Sequence, residues 1–318
     1  MKNIYLNIYK SNLANLKKAK KSLENNNLIG FPTETVYGLA GNAYSNKSIQ
    51  KIYSLKKRPS INPLIVHFRN LKDLQKDVTF NENFLKLYRA LCPGAITFIL
   101  KKNSKSKISK KVTAGKLTIA IRFPKHKVAR NLLKILNFPL AAPSANMSSK
   151  LSPTSAKDVI DEFKNKIKLV LDGGKCKIGL ESTIIDLTSE PKILRQGKIT
   201  SKQIYKILRK KVLVAKKHKN IKSPGQLNFH YSPGIPVYMN RMNSMEGGAF
   251  ITFGKKFKNV KNSFNISKTS NLNEAANNLY NTMRTIKKLK FKSISVCKIP
   301  NFGLGSAINE RLKKASNK

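Results

Sequence analysis

Residues 30–43, GFPTETVYGLAGNA, hold the first side chains whose types and spacing could do chemistry. An apolar run ends at Pro32, and hydroxyl groups, one carboxylate and several small residues follow within a few positions. Small residues let a backbone come close to a ligand, and hydroxyl groups can donate hydrogen bonds to it. A substrate-holding loop and a tight strand-to-helix turn without a ligand are the two interpretations of this pattern.

Cationic side chains lie at the ends of several predicted elements. The stretch KKRPSIN places Lys56, Lys57 and Arg58 before a proline, Arg122 ends LTIAIR, and Arg195 ends KILR. An ammonium group is a compact charge for phosphate oxygens, and a guanidinium forms paired hydrogen bonds with a carboxylate or a phosphate. Neutralisation of a helix C-terminus and surface ion pairs are the alternatives.

Two further stretches are dense in hydroxyl groups and small residues. Ser144 and Asn146 follow the strand-like PLAA, and Glu181 begins ESTIIDL after a pair of glycines. Such loops can donate to phosphates. The sequence has no Walker-type loop, no H-E-x-x-H and no nucleophile elbow. Together the residues indicate a polar, cationic pocket for a phosphorylated small molecule. Such a pocket would act by positioning and charge stabilisation, and the sequence identifies no catalytic nucleophile, base or metal cage.

The elements that must position these side chains alternate along the first two thirds of the chain. Helical and strand-like hydrophobic periods alternate from about residue 12 to residue 212, which predicts an α/β domain. A segment rich in proline, glycine and lysine follows, and from Pro236 a strand–helix order predicts a small, mainly parallel sheet. We therefore expect a domain over residues 1–212, a linker or lid over 213–235, and a second domain over 236–318.

Composition narrows the classes of protein. Hydrophobic residues make up 40% of the 318, and no apolar run is long enough to span a bilayer. The N-terminal residues lack the apolar core of a secretory signal. The three cysteines stand far apart without a C-x-x-C pair, which favours reduced thiols over a zinc site. A cytoplasmic protein with no membrane association is the expectation.

The net charge of +48 has two interpretations. It is typical of a protein that binds nucleic acid. However, 53 of the 63 basic residues are lysine and they are spread along the whole chain, as a codon bias toward A and T would produce. The charge permits contact with RNA and does not establish it.

Nine stretches, in this order, resemble the threonylcarbamoyl-AMP synthase family, whose YrdC-like domain matches here in its long, two-domain form. They are PTETVYGLAGNA, KKRPSINPLIVH, PGAITFIL, LTIAIRFP, APSANMS, GLESTIIDL, ILRQGKI, SPGQLNFHYSP and GLGSAINERLKKAS. The resemblance as a whole extends from about residue 12 to residue 315. The resemblance implies a YrdC-like twisted mixed sheet with helices, plus a small C-terminal Rossmann-like α/β domain.

The resemblance also implies a reaction. L-Threonine, bicarbonate (or CO2) and ATP would give threonylcarbamoyl-AMP and pyrophosphate, with Mg²⁺ assisting. The product would serve the N6-threonylcarbamoylation of adenosine 37 in tRNA, through a downstream threonylcarbamoyl-transferase complex.

The matching positions carry the family's implied roles. The residues expected at L-threonine are Thr35, His67, Arg122, Ala142 and Ser182. Those expected at ATP are Lys56, Arg58, Asn62, Thr118, Ser144, Asn146, Ser152 and Arg195. His230 and Tyr231 are expected in a lid over the pocket mouth. Two positions depart from the family, because glycine is often found where Lys57 and Ser149 stand.

Two alternatives to the enzyme stay open. The first is a non-catalytic RNA-binding protein with a vestigial YrdC-like pocket, which the charge suggests, although the sequence has no tryptophan and no RNP-type aromatic signature. The second is a carbamoyl-transfer module of a larger maturation enzyme. That module would predict zinc-finger and acylphosphatase-like segments, and this sequence shows neither.

Overall fold

Two β-sheets with helices packed on them form the protein. The computed structural model describes residues 4–215, 221–226, 230–257 and 260–316. Residues 216–220 and 227–229 of the predicted linker therefore lie outside the described residues. Within the described ranges the larger sheet has eleven strands and the smaller sheet has four. None of the described helices is long and apolar enough to cross a membrane.

The larger sheet is mixed, as predicted. Its strands are β1 (Ile8–Lys10), β2 (Ile29–Phe31), β3 (Gly38–Asn42), β4 (Ile65–His67), β5 (Ile96–Lys101), β6 (Thr118–Arg122), β7 (Leu140–Ala141), β8 (Val170–Asp172), β9 (Thr183–Asp186), β10 (Lys192–Arg195) and β11 (Leu213–Val214). Their spatial order is β1-β8-β2-β3-β7-β4-β6-β5-β9-β10-β11. For the site, the decisive pair is β4 with β6, because these parallel neighbours bring His67 opposite Arg122.

The helices of this part cover both faces of the sheet. They are α1 (Leu13–Glu24), α2 (Asn46–Lys56), α3 (Leu71–Leu74), α4 (Glu82–Leu91), α5 (Lys127–Ile135), α6 (Ala156–Phe163) and α7 (Ser201–Leu208), with 3₁₀ turns at Ile4–Asn7 and Lys164–Lys166. Polar side chains start several of them: Asn12, Ser45 and Asn81 each accept a hydrogen bond from the third backbone N–H of their helix.

Alternation along the strands sends side chains to two separate cores. Leu39 packs with α2 and α4 on one face, whereas Ala40 packs with α1 and α5 on the other. In α5 the apolar spacing of Val128, Leu132 and Leu133 gives the helix one face to bury. A further small cluster on the sheet contains no helix residue; its buried members are Ile65, Ile99, Ala120, Ile184 and Leu194.

The smaller sheet is parallel throughout, which confirms the prediction from the strand–helix order. Its strands are β12 (Val237–Tyr238), β13 (Ala249–Thr252), β14 (Ser263–Asn265) and β15 (Ile294–Val296), in the order β12-β15-β13-β14. Helices α8 (Leu272–Lys288) and α9 (Leu304–Ser316) pack on one face of it in a single apolar cluster. Tyr231 and Val36 belong to the same cluster, so this unit packs directly against the loops of the larger sheet.

One of the two interpretations of the first motif, the strand-to-helix turn, is wrong. The segment after PTET does not turn from a strand into a helix, because β2 and β3 pair antiparallel with Phe31 opposite Gly38. Residues 32–37 therefore form the connection of a hairpin. A strand rich in glycine and alanine has no hydrophobic alternation, which is why its sequence did not predict β3.

Candidate active site

A cavity opens beside the β2–β3 connection. Nine of the fifteen predicted site residues line it: Thr35, Arg58, His67, Arg122, Ala142, Ser144, Arg195, His230 and Tyr231. The other six are not part of the lining: Lys56, Asn62, Thr118, Asn146, Ser152 and Ser182. The strand ends and loops named above therefore do converge on one place.

One wall of the cavity is a buried ion pair. Arg122, the last residue of β6, donates through Nη2 to Glu34 Oε1 at 2.6 Å and through Nη1 to Thr35 Oγ1 at 2.8 Å. Thr33 completes the group with a 2.8 Å hydrogen bond between its hydroxyl and that of Thr35. Burial alone would raise the pKa of Glu34, but the charge and hydrogen bond of Arg122 outweigh it and the pKa is lowered. A fixed cation beside a fixed anion suits a small zwitterion.

His67 stands next to this pair and is uncharged. Burial and the charge of Arg122 lower the pKa of His67 to about 3, against a raising effect of Glu34. Its ring meets Phe31 edge-on at 5.7 Å, and Nδ1 has no hydrogen-bond partner among the described residues. The Nδ1 atom of the neutral imidazole can therefore donate a hydrogen bond to a ligand or accept one from it, depending on the tautomer.

Small residues bring the backbone close to this part of the cavity. Gly38 and Ala142 both line it. A Cβ atom on Gly38 would lie 2.6 Å from the Phe31 ring and 3.3 Å from the Ala142 side chain, so position 38 has no room for a larger residue.

A second wall carries two buried guanidinium groups. Arg58 donates to Asn62 Oδ1 at 2.6 Å, to Asn62 O at 2.9 Å and to Pro63 O at 2.8 Å. Arg195 donates to Ser182 O at 3.0 Å and to Ser182 Oγ at 3.1 Å. Burial lowers the pKa of Arg58 to about 10 and also lowers the pKa of Arg195. Neither forms an ion pair with a carboxylate in the described part of the chain, so together they suit an anion such as phosphate.

Lys56 lies behind the wall. Its ammonium donates to Ser144 O at 2.7 Å and to Asn146 O, and only 1% of the residue is exposed. Burial holds the pKa of Lys56 well below its usual range. Asn146 in turn donates to Met147 O and Lys150 O, which closes the loop on itself. Lys56 thus fixes the loop that presents Ser144 to the cavity.

The remaining predicted residues are placed at different depths. Ser182 Oγ lies 2.7 Å from Thr97 Oγ1, and Ser152 donates to Glu181 Oε1. Both serines are buried behind the lining. Thr118 begins β6, whereas Arg122 of the ion pair ends it, so three residues of the strand lie between them.

The two residues predicted to belong to a lid, His230 and Tyr231, line the cavity and are buried. Tyr231 is 1% exposed, and its ring centroid lies 4.0 Å from that of His230. The segment 221–226 also packs here, since a Cβ atom on Gly225 would lie 2.9 Å from Arg195 Cδ and 3.0 Å from Tyr231 Oη.

Several residues of the site had no predicted role. Glu181 lines the cavity, Glu34 pairs with the lining residue Arg122 from outside the lining, and both carboxylates are paired with arginine. Glu34 stands within the PTET stretch, and its position between two hydroxyl residues was the available signal. The partner of Glu181 is Arg311 in α9, which no local pattern could connect to the site.

The fold and the site define a two-unit α/β protein with a cavity for a small zwitterion beside an anion. Two family descriptions match the chain: "Telomere recombination" over residues 21–197, and "Threonylcarbamoyl-AMP synthase, C-terminal domain" over residues 199–317. The chain belongs to the threonylcarbamoyl-AMP synthase family.

Named relatives agree along nearly the whole chain. The threonylcarbamoyl-AMP synthase of Pyrococcus abyssi is 34% identical over 312 residues, covering 91% of this chain and 90% of the relative. That of Bacillus subtilis is 35% identical over 323 residues, covering 95% and 92%. The crystal structure of P. abyssi Sua5 complexed with L-threonine superposes with a TM-score of 0.89 at 30% identity, covering 97% of this chain and 96% of that one. The predicted family and mixed α/β fold are confirmed, and the RNA-binding alternative is not favoured.

Proposed function

We propose that the chain is an L-threonylcarbamoyladenylate synthase, a nucleotidyltransferase that makes threonylcarbamoyl-AMP and pyrophosphate from L-threonine, bicarbonate or CO2, and ATP. The observation that carries the proposal is the presence of two complementary walls in one cavity. The Glu34–Arg122 pair matches the charges of an amino acid, and the Arg58 and Arg195 cations match phosphate. The P. abyssi relative with L-threonine bound supports the same assignment.

The chemistry that these walls support has two bond-forming steps. The threonine nitrogen adds to the carbon of CO2 and loses a proton, which gives a carbamate; from bicarbonate, the same step releases water. A carbamate oxygen then attacks the α-phosphorus of ATP, and the bond from that phosphorus to the β-phosphate oxygen breaks, so that the electron pair leaves with pyrophosphate. Holding both anions in one closed site favours the attack over decomposition of the carbamate.

Each predicted residue receives a proposed role. Thr35, His67, Arg122, Ala142 and Ser182 serve L-threonine; among them Arg122 binds the carboxylate. Arg58, Ser144 and Arg195 contact ATP directly, and they stabilise the charge that develops at the α-phosphate. Lys56, Asn62, Asn146, Ser152 and Thr118 serve the ATP side from behind the lining or at its margin. His230 and Tyr231 form the lid, within a linker over 213–235 that joins a catalytic domain (1–212) to a C-terminal domain (236–318).

Mg²⁺ enters this proposal as part of the ATP substrate. No group of three or more metal-ligating side chains occurs among the residues that the structure describes. Glu181 in the cavity lining and Glu34 next to the lining residue Arg122 are both paired with arginine. The donor set therefore does not form a resident metal cage, whereas Mg²⁺ bound by substrate phosphates needs few protein ligands.

The cellular setting belongs to the same proposal. We place the enzyme in the cytoplasm, which the three free cysteines support. Its product would pass to a threonylcarbamoyl-transferase complex that modifies adenosine 37 of tRNA, and the net charge of +48 would favour contact with that tRNA.

Pyrophosphate release tests the proposal directly. Purified protein is incubated with ATP, Mg²⁺ and bicarbonate, with and without L-threonine. The released pyrophosphate is measured, and the other product is identified by mass spectrometry. We expect release that depends on L-threonine, together with threonylcarbamoyl-AMP. Release that is equal without threonine, or with L-serine and L-valine in its place, would contradict the proposal.

A further inference from the structure

Helix α9 of the C-terminal unit contacts residues in and beside the cavity lining with three side chains on one face. Glu310 Oε2 accepts a hydrogen bond from the backbone N–H of Gln196 at 3.1 Å, directly after Arg195. Lys314 donates to Gly225 O, and its own carbonyl accepts from the backbone N–H of His230 at 3.3 Å. One helix thus contacts the chain next to Arg195, the segment 221–226 and the lid residue His230.

Arg311 is the buried centre of this face. It is 1% exposed and donates through Nε to Glu181 Oε2 at 3.0 Å. Tyr280 of α8 also donates to Glu181, at 3.1 Å to Oε2, and Ser152 donates to Oε1. Glu181 lines the cavity and is bonded in the chain to Ser182, so two residues of the C-terminal unit determine where this wall stands.

The same two residues hold the lid ring. The Arg311 guanidinium carbon lies 5.2 Å from the centroid of the Tyr231 ring, and the Tyr280 ring stacks on it at 6.0 Å with planes 20° apart. Tyr231 Oη has no hydrogen-bond partner among the described residues, so contacts of its ring, rather than of its hydroxyl group, hold it. Its φ of +64° is costly for a tyrosine and persists only where surrounding contacts impose it.

We propose that Arg311 is a positioning residue of this active site, which holds Glu181 and the Tyr231 ring together so that the docked C-terminal unit keeps the cavity closed. The effect on turnover rests on the proposed function, but the closure itself can be measured without substrates. Displacing the ring admits water, and ATP would then be consumed without accumulation of the adenylate.

Hydrogen–deuterium exchange of the lid tests closure. The amides of His230 and Ser232 donate to Lys314 O at 3.3 Å and to Ser149 O at 2.8 Å, so they exchange only when the lid opens. Arg311→Met removes one charge-assisted hydrogen bond, and we expect exchange in residues 230–238 to rise about tenfold. Arg311→Lys restores the charge and should recover part of the protection. Lys313→Met removes an exposed charge from the same helix and is the matched control, with exchange unchanged.

The same experiment separates positioning from general stability. The amides of β6 serve as an internal reference, and they should keep their wild-type exchange in the Arg311 variants. Equal acceleration in β6 and in the lid, or lid exchange no faster than in Lys313→Met, would overturn the proposal. Tyr280→Phe is the milder variant, because it keeps the ring and removes only the donor to Glu181; about threefold faster lid exchange is expected, and no change would count against the proposal.

Turnover gives an independent readout. In Arg311→Met we expect more pyrophosphate released per threonylcarbamoyl-AMP recovered than in Lys313→Met, because water that enters an open site can attack the α-phosphorus of ATP and give AMP and pyrophosphate without the adenylate. An unchanged ratio would overturn the role in closure during catalysis. If the wild-type chain makes no adenylate at all, the proposed function fails, whereas the exchange experiment still decides whether Arg311 holds the lid.

Discussion

Arg122 Nη2 and Glu34 Oε1 lie 2.6 Å apart, in a pair whose side chains are only 5% and 10% exposed. The other Nη of the same guanidinium donates to Thr35 at 2.8 Å. The forked geometry fixes the plane of the cation before any substrate arrives, and the carboxylate of Glu34 balances its charge. Removing either partner would leave the other charge buried and unpaired, which is strongly unfavourable.

The first prediction concerns the geometry of this cation. Arg122→Lys keeps the charge but replaces the planar guanidinium, with its several N–H donors, by a compact ammonium. That ammonium cannot contact Glu34, Thr35 and a substrate carboxylate at once. We expect the KM for L-threonine to rise about 10- to 100-fold, the equivalent of one charge-assisted hydrogen bond. The measurement is threonine-dependent pyrophosphate release over a range of threonine concentrations.

A matched substitution provides the control for Arg122→Lys. Arg89→Lys makes the same change at an exposed position of α4, and its KM should equal that of the wild type. If Arg122→Lys had the wild-type KM for threonine and a raised KM for ATP, Arg122 would serve the nucleotide instead.

The second prediction follows from the buried carboxylate of Glu181. Burial would raise the pKa of Glu181, but the charges of Arg311 and Arg195 and the Ser152 hydrogen bond outweigh it and hold the pKa at about 2, below the ordinary 4.5. The unfolded chain therefore binds this proton first as the pH falls. The stability that Glu181 contributes is complete above about pH 4.5 and is lost as the pH approaches 2.

Urea unfolding of the wild type and Glu181→Gln measures this effect. We expect the difference in their free energies of unfolding to shrink by about 2 kcal/mol between pH 6 and pH 3. Glu190→Gln, at an exposed position, is the comparison and should show a much smaller change. A difference between wild type and Glu181→Gln that stays constant over this range would show that Glu181 is not ionised in the native protein.

The meeting of His67 and Arg122 could be predicted from the sequence. Each ends a short apolar strand, and adjacent parallel strands bring such ends to one edge of a sheet. The structure pairs them in register, His67 opposite Arg122. Local patterns also predicted the two units, because hydrophobic periods and turn residues depend only on neighbouring positions.

Other parts of the site depend on contacts that no local pattern records. Arg311 lies 130 residues after Glu181, and only docking of the second unit brings them to 3.0 Å. The family resemblance placed Lys56 near the phosphates, yet its ammonium donates to two carbonyl groups of the 144–146 loop. The direction of a long, flexible side chain follows from which acceptors the tertiary fold presents.

The third prediction concerns a position that departs from the family. Lys57 caps the C-terminus of α2 with φ +50°, a left-handed conformation that suits glycine. Ser149, the second departure, also has a positive φ, +66°. A left-handed backbone destabilises the folded chain by about 1–2 kcal/mol when the residue is lysine, and glycine would remove this cost. Glycine's greater freedom in the unfolded chain offsets part of that stabilisation. We expect Lys57→Gly to raise the free energy of unfolding by about 0.5–1 kcal/mol in urea melts.

A lysine-to-glycine substitution inside a helix should change the free energy of unfolding in the opposite direction. Lys17 is exposed in the interior of α1, where glycine is the poorer residue, so Lys17→Gly should lower the free energy of unfolding by about 1 kcal/mol. Two losses of similar size would mean that the left-handed conformation at Lys57 is not costly.

The fourth prediction uses the neutral state of His67. Burial and the charge of Arg122 lower the pKa of His67 to about 3, so the folded protein keeps the ring uncharged at pH 5, whereas the unfolded chain protonates it below about 6.5. Acid therefore favours the unfolded state through this group. Relative to His67→Gln, the wild type should lose about 2 kcal/mol of unfolding free energy from pH 7 to pH 5 and nothing from pH 8 to pH 7. If the wild type and His67→Gln differed in unfolding free energy by the same amount at pH 5 and pH 7, the native ring would take up its proton at the same pH as the unfolded chain. The pH profile of wild-type turnover should then carry a step near 6.5 that the profile of His67→Gln lacks.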